Sequence, residues 1–115
     1  AVATFGRLTT RMCLVGHSHL PFLCRENREG PSFVSFAEDQ SFELDDRRWI
    51  ANPGSVGQPR DYDPRPSYAI FSNNGRGEEG CLERHRVEYD RAETQRKMRD
   101  AGLPRNLIDR LDHGV

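Results

Sequence analysis

Apolar positions along the chain come in short runs, most of them three to six residues long, and the runs change character towards the C-terminus. Met12-Cys13-Leu14-Val15 is a nearly continuous apolar run ending at Gly16, the pattern of a buried strand. Leu20 to Cys24 continues as extended chain, and the polar stretch Arg25 to Ser32, with Gly30-Pro31, reads as a turn. Phe33 to Phe36, Ser41 to Leu44, Trp49 to Ala51 and Pro66 to Phe71 read as further strands, with turns at 38–40 and 45–48. Asn73, Asn74, Gly75 and Gly77 have the chemistry of a loop tip, and Cys81 to Tyr89 supplies an antiparallel partner beyond it. Phe5 and Leu8 suit the end of a helix packed on the sheet. From Asp90 the period becomes helical. Asp90 and Glu93 stand at capping-box spacing, Gly102 is a stop, Pro104 opens a second helix, and Leu103, Leu107, Ile108 and Leu111 form its apolar stripe. Strands first and helices last give an α+β fold, mostly antiparallel sheet with C-terminal helices.

Composition narrows the partners. With 115 residues the chain is at most one domain, and 35% apolar residues with a mean hydropathy of −0.82 leave a lean core. The net charge of −1 provides no broad basic field for nucleic acid, and no apolar run approaches the ~18 residues of a membrane span. The basic residues are sixteen arginines and Lys97. Arginine suits phosphate through its planar fork, although a coding bias explains the excess more simply. Cys13, Cys24 and Cys81 are odd in number, widely spaced and without a Cys-x-x-Cys pair, as in a reduced, cytoplasmic protein.

The candidate chemistry sits in Gly16-His17-Ser18-His19. Neutral imidazole is a ligand for zinc, manganese, iron or nickel, and two histidines in a tight loop can reach two ions. A His-x-His pair is equally at home in a solvated loop. The second stretch is Asn52-Pro53-Gly54-Ser55-Val56-Gly57-Gln58-Pro59-Arg60. Pro53-Gly54 fits the centre of a type II turn, and the following N–H groups can form an anion-binding concavity with Arg60 as a clamp. The same residues also make a rigid corner that needs no ligand. Asp61 and Asp63 are loop carboxylates of the kind that usually face water, and His85 and His113 read as surface histidines.

Val15 to His19, followed in order and at matching separation by Asn52 to Arg60, resembles the calcineurin-like metallophosphoesterases, in particular their small bacterial and archaeal phosphodiesterase branch. The resemblance runs from about Arg11 to Leu111. It implies one half of a four-layer αββα sandwich, with its other sheet absent. It implies hydrolysis of a phosphomonoester or phosphodiester with two divalent metal ions, manganese foremost, with zinc, iron or nickel as alternatives. His17 would ligate one ion and His19 the other, while Asn52, Gly54, Ser55 and Arg60 would support or approach the substrate phosphate. The family's Asp-x-His, Gly-Asp-x-x-Asp and Gly-Asn-His motifs do not occur here. Residues 1–115 are therefore expected to form one partial domain, the C-terminal portion, inactive by itself. Its expected partners are a phosphoester, and either a missing N-terminal half or a second copy docked through the sheet. A catalytically inactive remnant, or a partner-binding α+β module, is the alternative reading.

Overall fold

A computed structural model describes residues 2–73 and 80–115; most of the loop tip expected around Asn74, Gly75 and Gly77 lies outside the described residues. The described chain forms two sheets rather than one. The first has the order β1 (Met12–Leu14), β5 (Trp49–Asn52), β2 (Phe22–Asn27), β3 (Gly30–Val34). The second has the order β4 (Ser41–Leu44), β7 (Gly80–Arg86), β6 (Ser67–Asn73). Two sheets pack on one core, which corrects the expectation that the described chain would carry a single sheet with its facing sheet absent. Among the described strands, pairing is antiparallel except between β1 and β5.

Between the sheets lies a core of Leu23, Phe36, Leu44, Trp49, Ala51 and Leu82. A fully buried leucine is worth about 1.5–3 kcal/mol, so Leu23 and Leu82 are main contributors. Phe36 crosses from the end of β3 towards the second sheet and meets Phe42 edge-on, with ring centroids 5.6 Å apart. Trp49 donates from Nε1 to Asp45 Oδ1 at 3.1 Å, and the Arg25 guanidinium lies over its ring. Strand alternation sends Ile50 to the opposite face, where it packs with Cys24 and Phe5 beneath α1 (Val2–Phe5). Arg48 fastens that short helix, donating from Nη1 to the carbonyls of Phe5 at 2.6 Å and Leu8 at 3.3 Å while it pairs with Glu26.

The Gly30-Pro31 dipeptide does not turn the chain. The turn lies at Arg28-Glu29, and Gly30 and Pro31 pair with Asn27 and Glu26 as the start of β3. Proline is tolerated because β3 is an edge strand. At the C-terminus, α2 (Arg91–Asp100) is capped by Asp90, whose side chain accepts from Glu93 N–H at 2.9 Å. The reciprocal half of the capping box is not made, because Glu93 is held by Arg96. Gly102 ends the helix at φ +70°, and α3 (Arg105–Asp109) runs into a 3₁₀ turn over Arg110–Asp112. These helices pack mainly on each other and bond to the 58–62 loop; it is α1 that covers the outer face of the first sheet.

Candidate metal and phosphate site

β1 and β5 are parallel neighbours, so their C-terminal ends lie at one edge of the sheet, where ligands collect in open α/β sheets. The loop 15–20 leaves one strand and the turn 53–58 leaves the other. Val15 N–H still bonds to Ala51 C=O at 2.9 Å, so the two stretches part company only after the strands have set them side by side.

Asn52 joins them. It is fully buried; its Nδ2 donates to Gly16 C=O at 3.2 Å and to Ser18 Oγ at 2.9 Å, and its Oδ1 accepts from Gly54 N–H at 2.9 Å. Ser18 also accepts from Leu20 N–H at 3.4 Å and so ties the loop to its own exit. The loop needs this bracing because both histidines have left-handed backbone, His17 at φ 73° and His19 at φ 61°. Side chains with a Cβ occupy that region at a cost of about 1–3 kcal/mol each and persist only where neighbours over-determine them. Gly54 is at φ +94°, and a Cβ there would lie 2.9 Å from Ser67 Cβ and 3.0 Å from its Oγ. Ser67 stands so close because its hydroxyl donates to Pro53 C=O at 2.6 Å.

The two histidines differ in surroundings. His17 is exposed. His19 is half-buried, and its Nδ1 is 2.7 Å from the main-chain oxygen of Gln58. A carbonyl only accepts, so Nδ1 carries the proton and Nε2 keeps its lone pair for a ligand. Such a bond is the usual companion of a metal-binding imidazole. The residues therefore fit a divalent ion as far as His19 is concerned, yet no group of three or more metal-donating side chains forms among the described residues.

In the turn, Gly54 N–H is committed to Asn52, and Ser55 Oγ accepts from Gln58 N–H at 2.9 Å. The N–H groups of Ser55, Val56 and Gly57 have no hydrogen-bond partner among the described residues, and Val56, Gly57 and Arg60 are exposed. Beyond the turn, Asp61 and Asp63 do not face water as loop carboxylates. Asp61 pairs with Arg86, whose side chain is only 4% exposed, and Asp63 chelates Arg65, which also grips Glu38 through two bonds of 2.9 Å. The hydrogen-bonded Arg65 guanidinium holds the Asp63 carboxyl down at about 2 against the opposing effect of burial, with Arg86 adding to the depression. These carboxylates brace the loop. His85 is paired with Asp39 and lies against the Tyr68 ring, and His113 is exposed on the C-terminal turn. Sequence reasoning included Gln58 in the second stretch without giving it a role and did not identify Ser67 or Arg110; the contributions of all three are long-range bonds.

No family model matches the chain. The crystal structure of a metallophosphoesterase from Sphaerobacter thermophilus superposes with a TM-score of 0.82 and 42% identity, covering 99% of this chain and 46% of that one. The chain has the sequence and fold of the C-terminal part of a calcineurin-like metallophosphoesterase. An uncharacterized protein of Methanocaldococcus jannaschii is 38% identical over 100 residues, 87% of this chain and 38% of that protein. The chain thus spans less than half the length of either protein. No helix among the described residues is long and apolar enough to cross a membrane.

Proposed function

We propose that the two loops are the C-terminal contribution to a two-metal phosphoesterase site acting on phosphomonoesters or phosphodiesters. The observation that carries this reading is His19, whose Nδ1–H is held by the Gln58 carbonyl with Nε2 left for a ligand, on the loop that also bears His17. His17 ligates one ion and His19 the other, with manganese the first choice and zinc, iron or nickel possible. Divalent ions supply Lewis acidity towards phosphoryl oxygens and lower the pKa of water. Asn52 and Gly54 support the site from beneath by fixing both loops. The N–H groups of Ser55, Val56 and Gly57 and the guanidinium of Arg60 orient a phosphate through its oxygens.

A zinc-type catalytic site takes about three protein ligands per ion, and these loops contribute one imidazole to each. Turnover therefore requires further ligands from the part of a metallophosphoesterase that this chain does not span. The edge of β1, which has no second strand partner among the described residues, and Tyr68 and Ile70 exposed on edge strand β6, support docking of that part or of a second copy. The test is hydrolysis of bis-p-nitrophenyl phosphate and p-nitrophenyl phosphate with manganese, by the chain alone and with an N-terminal half added. The expected result is activity only in the mixture, abolished by His17→Ala or His19→Ala. Activity in the mixture that survives both substitutions would overturn the assignment.

A further inference from the structure

The support of His19 does not stop at Gln58. Gln58 is held at three points: its N–H donates to Ser55 Oγ at 2.9 Å, its carbonyl accepts from His19 Nδ1 at 2.7 Å, and its side-chain Oε1 accepts from Arg110 Nη2 at 3.1 Å. Arg110 lies 52 residues further along the chain, at the start of the 3₁₀ turn. Its own Nε donates to the main-chain oxygen of Val115 at 3.0 Å, so its planar fork spans two elements. The C-terminal turn is itself seated on the site loop. Tyr62 N–H donates to Gly114 C=O at 3.0 Å, and Gly114, at φ +62°, lies so close to Asp63 that a Cβ would come within 2.7 Å of its main chain. Leu111 and Ile108, both buried, fix the turn that carries Arg110.

We propose that Arg110 is a positioning residue for His19. It holds Gln58, and through Gln58 the carbonyl that keeps His19 in the Nδ1–H tautomer with Nε2 directed outward. The C-terminal turn is then part of the site's support although it bears no ligand. The proposal deepens the metal-site reading and rests on it for its functional meaning, but the tautomer itself can be measured on metal-free protein. Without Arg110 the Gln58 side chain is free to swing, the carbonyl loses one of its restraints, and the bond to Nδ1 competes with water.

The experiment has two arms on the full chain. Imidazole ¹⁵N shifts of His19, in metal-free protein at a pH where the ring is neutral, give the tautomer ratio. Arg110→Ala is expected to lower the Nδ1–H to Nε2–H ratio about threefold or more, the range a lost hydrogen bond of ordinary net strength permits. Gln58→Ala, which keeps the carbonyl but removes the acceptor of Arg110, is expected to match it, and the double variant to add nothing further. Arg105→Ala, on a 92%-exposed side chain that pairs only with Asp109 among the described residues, is the control and leaves the ratio unchanged. In the second arm Zn²⁺ alone is titrated into the chain with an N-terminal half added, and Arg110→Ala is expected to weaken its His19-dependent binding about tenfold, as loss of a supporting shell does. Folded Arg110→Ala and Gln58→Ala proteins with a wild-type tautomer ratio would overturn the proposal. Absence of His19-dependent zinc binding in the wild-type mixture would overturn the metal reading instead, while a shifted ratio would still uphold the positioning role.

Discussion

Replacing Asn52 by Ala should uncouple the two loops. The side chain is fully buried and makes three hydrogen bonds, to Gly16 C=O, Ser18 Oγ and Gly54 N–H. At a net ~1 kcal/mol each these sum to about 3 kcal/mol. Two effects modify that figure in opposite directions. Gly16 and Ser18 are exposed and can recruit water, which lowers the cost. Gly54 N–H is left without its partner beside the Pro21 and Ser67 side chains, which raises it. The expected destabilisation is therefore about 2–4 kcal/mol. The strain at His17 and His19 makes the effect local as well as global, since a loop held at positive φ relaxes once its brace is gone. Urea unfolding measures the global part through the shift in midpoint at unchanged slope. Amide shifts of residues 16–20 and 53–58 measure the local part. A loss below ~1 kcal/mol, or unchanged shifts in the 16–20 loop, would refute the view that Asn52 is the bolt between the loops.

Gly54→Ala is expected to cost about 3 kcal/mol or more, because positive φ and a 2.9 Å approach to Ser67 Cβ act together; thermal unfolding within a few degrees of wild type would contradict this. His17→Gly is expected to raise stability by about 1 kcal/mol, by relieving a left-handed residue, while removing a proposed ligand; a measured loss of stability would count against strain at this loop. Asp63→Asn is expected to cost about 1–2 kcal/mol at neutral pH. The Asp63 carboxyl is depressed from 3.8 to about 2, so its stabilisation is present above pH 3.8 and is lost as pH falls through 2. Wild-type and Asp63→Asn unfolding curves should therefore converge across that window, and a difference that persists below it would exclude the Arg65 pairing as the cause.

The strand runs and both C-terminal helices were legible in the sequence, because alternation and helical spacing are local consequences of which face is buried. The two site loops were legible too, since glycine at the end of an apolar run and Pro-Gly after another mark where strands stop. Within the expected turn Arg25 to Ser32, residues 25–27 and 30–32 were misread because turn chemistry is also edge-strand chemistry, and only their pairing with each other tells them apart. The division into two sheets was hidden for a related reason: alternation reports that a strand has a buried face but not which partner covers it. Sequence placed Asp61 and Asp63 in water, whereas the fold gave them Arg86 and Arg65. The decisive features of the site belong to tertiary structure alone. Parallel pairing of β1 with β5 brings residues 16 and 52 within one hydrogen bond, and the C-terminal turn carries Arg110 back to Gln58. Sequence determined which residues could bind an ion or a phosphate. Contacts across 34 to 52 positions decided which of them are held in place, because a hydrogen bond depends on distance in space and leaves no period along the chain.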